Sequence, residues 1–319
     1  MPTSDAMPPS ALPQLSAPRP FLADGGLETD LIFHHGIDLP AFAAFVLLDA
    51  DDGVGALRAY YRPYLDLARQ HRTGLVLETP TWRANADWGR ALGFGPRALA
   101  RINRDAVALV RALADEAPDV DVVVSGCVGP RGDGYVVGEV MTAPQAAAYH
   151  LAQLAALADA DLATAMTMTY AEEAVGFVRA AESVGVPPVV AFTVETDGRL
   201  PSGQALADAV RQTDEATGGA AAYFMVNCAH PTHFEHVLDG DWTARVRGLR
   251  CNASACSHAE LDAAETLDAG DPSDLAARYN RLAERLDLAV VGGCCGTSVR
   301  HVAAIADVLL ASSSATPVP

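Results

Sequence analysis

At 319 residues, half of them hydrophobic, the chain has apolar material for one large core and fits a single α/β barrel domain of roughly 250 residues. A net charge of −18 argues against nucleic acid and anionic membranes as partners, and no apolar run approaches the 18 or so residues of a membrane span. All 22 basic residues are arginine, so a lysine Schiff base is excluded, and with it the class I aldolases and pyridoxal phosphate enzymes.

Residues 1–19 are rich in Pro, Ser and Ala and are expected to form a disordered tail. They lack a basic stretch followed by an apolar one, so no signal peptide is expected. Eight short apolar runs follow, at residues 21–23, 75–77, 122–124, 162–165, 189–192, 222–226, 246–249 and 288–291. Segments with helical apolar spacing separate them. One spans residues 143–158, with Thr142 as N-cap and Pro144 in the first turn. Strands alternating with helices pair in parallel, and eight of them predict a closed (β/α)8 TIM-type barrel over residues 20–311. A long acidic loop, 251–272, is expected after the seventh strand, and residues 312–319 form a second loose end.

Residues of chemical interest cluster just after the apolar runs: Asp24-Gly25-Gly26, Glu78-Thr79, Gly126, Cys228 and Cys294-Cys295. Barrel active sites are built at the C-terminal ends of strands, so these segments should meet at one mouth. Glycines 292, 293 and 296 allow a sharp turn around the cysteine pair. The pair has three readings: small buried hydrophobes, a strained vicinal disulfide, or soft-metal ligands. Cys228 ends strand six and lies within reach. Three thiolates make an incomplete tetrahedron, the pattern of a catalytic zinc site with one open position. Six cysteines in a chain of this length do not resemble a secreted disulfide scaffold, and a reducing cytoplasm would keep the thiols free.

The segments VGGCCGTSVRHVAAI, VNCAHP and DGGLETDL, in this arrangement, resemble the homocysteine S-methyltransferase family over residues 21–310. The resemblance implies that Cys228, Cys294 and Cys295 bind Zn2+, with the acceptor thiol as fourth ligand. It implies that Asp24 binds the amino group of homocysteine and that Gly25 and Thr79 belong to the same substrate site. The partners are then a small thiol and a methyl donor, and the oligomeric state stays open. Folate would need a further domain, and betaine a long C-terminal extension. By elimination the expected donor is a sulfonium such as S-methylmethionine.

Two departures bear on the acceptor. Met166 stands where the family usually carries a glutamate that helps bind the amine, unless Glu172 or Glu195 substitutes. Arg250-Cys251-Asn252 stands where the family often shows Tyr-Pro-Asn, and Asn252 alone is retained. Selectivity for homocysteine is therefore in question. His230, His233 and His236 are read as helix caps or facing residues rather than ligands, Cys251 and Cys256 as free thiols, and Cys127 as loop packing. Trp82, Trp88 and Tyr135 are candidates for a donor pocket. A non-catalytic barrel, with zinc structural or sensing metal or redox state, is the competing class.

Overall fold

The computed structural model describes residues 12–311. Eight strands close into a barrel in chain order: β1 (Phe21–Ala23), β2 (Leu75–Glu78), β3 (Val122–Val128), β4 (Leu162–Met168), β5 (Pro188–Phe192), β6 (Tyr223–Asn227), β7 (Val246–Cys251) and β8 (Val290–Gly293). All eight predicted runs fall on these strands. Closure is made by β1 against β8, in parallel, with Phe21 opposite Val290 and Leu22 opposite Val291. The runs are mostly apolar, Thr164 and Arg247 aside, because both faces of a barrel strand are covered. Alternation divides each run between two cores. Leu22, Leu77, Val124, Phe192 and Val226 face the helices. Phe21, Val76, Val123, Val189 and Met225 fill the barrel.

The outer layer comprises α3 (Gly53–His71), α5 (Pro96–Asp115), α6 (Ala143–Ala156), α7 (Ala171–Val184), α8 (Leu206–Thr217), α11 (Pro272–Ala283) and α12 (Val299–Leu309). Helix α6 starts as expected: Pro144 lies in its first turn, and the Thr142 amide donates to Gln145 Oε1 at 2.9 Å, completing a capping box. Short helices decorate the chain between strands: α1 (Pro13–Ser16), α2 (Leu27–Phe33), α4 (Ala86–Ala91), α9 (Pro231–Phe234) and α10 (His258–Asp262). Among the described residues no helix is long and apolar enough to cross a membrane.

One expectation is corrected. Residues 12–19 were assigned to a disordered tail, yet α1 is ordered against the barrel interior. Leu12 is fully buried among Phe21, Tyr223 and Ala289, and Gln14 Nε2 donates to the Tyr223 hydroxyl at 3.3 Å. Overall composition hid two apolar positions, Leu12 and Leu15, that cover the open base of the barrel. Residues 1–11 and 312–319 of the expected tails lie outside the described residues.

Candidate metal centre

Cys228 follows the last residue of β6, and Cys294 and Cys295 follow β8. Among the described residues they form the one group of three potential ligand side chains, their Sγ atoms all within 4.8 Å of one another. Cys228 Sγ lies 3.4 Å from Cys295 Sγ. A tetrahedral zinc with Zn–S bonds of about 2.3 Å needs sulfurs about 3.8 Å apart, so the trio fits one ion. The Cys294 thiol is pushed well below its ordinary range by hydrogen bonds from Cys228 and Cys295, with Arg250 adding a favourable charge. One member of the trio is thus already inclined to the thiolate that a metal requires.

The backbone holds these sulfurs in place at some cost. Cys228 has φ of +54°, a left-handed conformation that non-glycine residues seldom adopt. Its carbonyl accepts from His258 Nε2 at 2.7 Å, Asn252 Nδ2 at 3.1 Å and Thr193 Oγ1 at 3.3 Å. Its amide donates to Arg250 O at 3.0 Å. On the β8 side, Gly293 is required by crowding, since a Cβ there would meet Thr297 Oγ1 at 2.0 Å. That hydroxyl instead donates to Cys294 O at 2.7 Å and closes the turn.

The trio forms one wall of a cavity of about 240 Å³ at the barrel mouth. Asp24, Gly25 and Thr79 all line it, as do Trp82, Tyr135 and Met166. Their side chains are nevertheless already engaged. Thr79 Oγ1 lies 2.6 Å from Thr81 Oγ1 and accepts from the Cys127 amide at 2.9 Å. Asp24 Oδ1 is 2.7 Å from Arg250 Nη2, and Asp24 Oδ2 accepts from the Tyr60 hydroxyl at 3.1 Å. Burial pushes the Asp24 carboxyl up, opposed by Arg250 and Tyr60. Glu78, also on the cavity wall, lies 3.7 Å from Arg250 Nη1, and burial pushes it up to about 7 despite that guanidinium.

Arg250 is the residue whose role the sequence reading missed. It is almost fully buried and donates to the backbone carbonyls of Gly293 (3.0 Å), Gly25 (3.1 Å) and Asp24 (3.3 Å). It therefore ties together the ends of β1, β7 and β8. Burial works against its charge, but Asp24 and Glu78 more than offset that and hold the guanidinium charged. The available signal was an arginine beside the last residue of a barrel strand, two positions before the retained Asn252.

The remaining candidates sort cleanly. Neither Glu172 nor Glu195 reaches the cavity wall. Glu172 accepts from the Ala143 amide and from Gln212, and Glu195 pairs with His258 at 3.0 Å. Met166 has no carboxylate substitute among them. His230 caps α9, with Nδ1 2.8 Å from Thr232 Oγ1, and His233 Nε2 contacts Ala255 O at 2.9 Å. Cys251 is buried and its thiol is pushed up to about 12. Cys256 accompanies Ser254 at Asp268. Cys127, expected in a loop, instead lies within β3, packed in the barrel interior and on the cavity wall, because the strand runs on through Val128. Tyr135 comes from the β3–α6 loop, its hydroxyl 3.1 Å from Cys228 Sγ and its ring stacked on His258 at 3.9 Å between centroids. Trp82 lines the cavity, while Trp88 lies outside it and stacks on the Arg83 guanidinium at 3.9 Å.

Comparison with solved structures finds the same fold in the homocysteine methyltransferase MmuM from Escherichia coli. Its oxidized form matches with a TM-score of 0.72 and 21% identity, over 94% of this chain and 98% of that one. Its metallated form matches with a TM-score of 0.70 and 20% identity, over 92% and 97% of the two chains. No curated protein sequence matches the chain. The family model described as homocysteine S-methyltransferase matches residues 21–309, nearly the whole described chain. With that match and a cysteine trio placed where three strand-end thiols face one cavity, this chain belongs to the homocysteine S-methyltransferase family.

Proposed function

We propose that the protein transfers a methyl group from a small sulfonium donor to a small thiol, with Cys228, Cys294 and Cys295 holding Zn2+. The observation that carries this reading is the convergence of the three thiols within 4.8 Å on the wall of the mouth cavity. Bound zinc would supply the acceptor sulfur as a thiolate at neutral pH. The acceptor sulfur's lone pair forms the new S–C bond as the sulfonium S–C bond breaks. The donor's electron pair leaves with a neutral thioether, and the acceptor's proton goes to solvent.

The chain's own residues supply placement. Homocysteine, the thiol in the family's name, is the reference acceptor, and Asp24, Gly25 and Thr79 form the wall it would meet. The donor side is framed by Trp82, Phe42 and Tyr135, with the carboxylates of Glu28, Asp133 and Asp262 outnumbering the one guanidinium there, Arg83, which lies over Trp82 and pairs with Asp133. Aromatic faces with acidic neighbours favour a cationic donor. A volume of about 240 Å³ favours small substrates over a folate- or cobalamin-sized donor. Thiol ligands of this kind suit a reducing cytoplasm.

The test is metal content together with product formation. Zinc-loaded protein given S-methylmethionine and a small thiol should yield the methylated thiol, and Cys294→Ala should lose both zinc and turnover. Full zinc retention in that variant, or no methyl transfer by the zinc-loaded wild type, overturns the reading.

A further inference from the structure

An α-amino thiol brings an ammonium that must meet a free carboxylate inside the cavity. Here the carboxylates at the ends of β1 and β2 already share a cation. Asp24 has one oxygen 2.7 Å from Arg250 and the other on Tyr60 at 3.1 Å. Glu78 faces the same guanidinium at 3.7 Å, and no hydrogen bond engages Arg250 Nη1. On the β4 side the wall is the uncharged Met166, and Glu172 and Glu195 are bonded elsewhere. A second cation would sit against Arg250 in a buried site, where like charges repel far more strongly than in water. The remaining cavity carboxylates, Glu28, Asp133 and Asp262, all neighbour a second guanidinium, Arg83, and burial pushes Glu28 up to about 7.

We propose that Arg250 is the specificity-determining residue of this site: its guanidinium occupies the ammonium's place opposite Asp24 and Glu78, and the acceptor is a small thiol without an α-ammonium. This deepens the proposed function and rests on its reading of the cavity as an acceptor site. The arrangement is self-contained. The cation is covalently part of the protein, and the backbone carbonyls of Asp24, Gly25 and Gly293 fix its position.

The experiment is calorimetric titration of zinc-loaded protein with homocysteine and with 4-mercaptobutyrate, which has the same chain and no amine. Wild type, Arg250→Gln and Arg250→Tyr are compared, each with its zinc content measured. Wild type should bind 4-mercaptobutyrate at least as tightly as homocysteine. Freeing Asp24 and Glu78 in the variants should shift the ratio of dissociation constants toward homocysteine by roughly ten- to hundredfold, the worth of one hydrogen bond to a charged group. Wild-type preference for homocysteine overturns the inference, as does a variant that weakens both thiols equally, which would make Arg250 only a clamp on the strand ends. Should the variants fail to hold zinc, the wild-type ratio alone decides. If neither thiol binds zinc-loaded wild type, the acceptor-site reading itself falls and this inference with it. Binding with the wrong preference removes only the inference.

Discussion

Tyr279 on α11 offers the most direct test of how the metal-bearing strand ends are held. Its ring is fully buried, and its hydroxyl donates to Gly292 O at 2.6 Å while accepting from the Cys251 amide at 2.9 Å. These are backbone groups at the ends of β8 and β7. Tyr279→Phe removes one oxygen and with it a hydrogen bond to each of these buried groups, which also face each other across the β7–β8 ladder where Cys251 opposes Gly293. Each lost hydrogen bond is worth about 0.5–1.5 kcal/mol net, so the variant should be about 1–3 kcal/mol less stable. Urea unfolding reads this as a lower midpoint with an unchanged slope, because the surface exposed on unfolding is the same. A second readout follows from geometry. Cys251 O accepts from the Cys294 amide at 2.8 Å, and Gly292 precedes Cys294 by two residues. Zinc affinity should therefore fall together with stability. A variant within about 0.5 kcal/mol of wild type refutes the claim that this phenol satisfies the strand ends, since surface-like substitutions fall in that range.

Glu78 predicts a pH dependence. Its carboxyl is pushed from an ordinary 4.5 up to about 7, so between those values the native state keeps a proton that the unfolded chain has released. Stability should then fall as pH rises through that window, by on the order of 3 kcal/mol from this group. Glu78→Gln should flatten the urea midpoint against pH there, and an unaltered slope refutes the assignment. Met166→Glu adds a carboxylate to the cavity wall on the side away from the Arg250 pair. It should raise preference for homocysteine over 4-mercaptobutyrate by roughly tenfold, whereas a flat or reduced preference, as expected if the new charge is merely buried unpaired, removes Met166 from the amine-facing wall.

The barrel was legible because its strands are covered on both faces, which leaves continuous apolar runs such as 122–124 and 189–192 in the sequence. The cysteine trio was legible because its thiols lie within four residues of the ends of two such runs, 222–226 and 288–291. Periodicity carries no information about pairs formed across the barrel. Asp24 and Arg250 are separated by 226 residues, so nothing local announced that the aspartate would meet a cation from its own chain. Tyr135 lay in a glycine-rich loop without periodic pattern, and its place over Cys228 depends on His258, which belongs to a different loop. The helical turn at α1 was missed for the opposite reason: composition averaged away Leu12 and Leu15, whose burial only the closed base of the barrel explains.

The stacking of Tyr135 on His258 has a consequence for how this pocket can be changed. One ring comes from the loop after β3, the other from α10 in the loop after β7, and the histidine also anchors the Cys228 carbonyl. Grafting either loop from a relative would strip the other of its ring partner and loosen the sulfur beneath both. In laboratory recombination the two loops should therefore be exchanged as one piece. Crossovers that separate them should be purged even where each parental loop works in its own barrel.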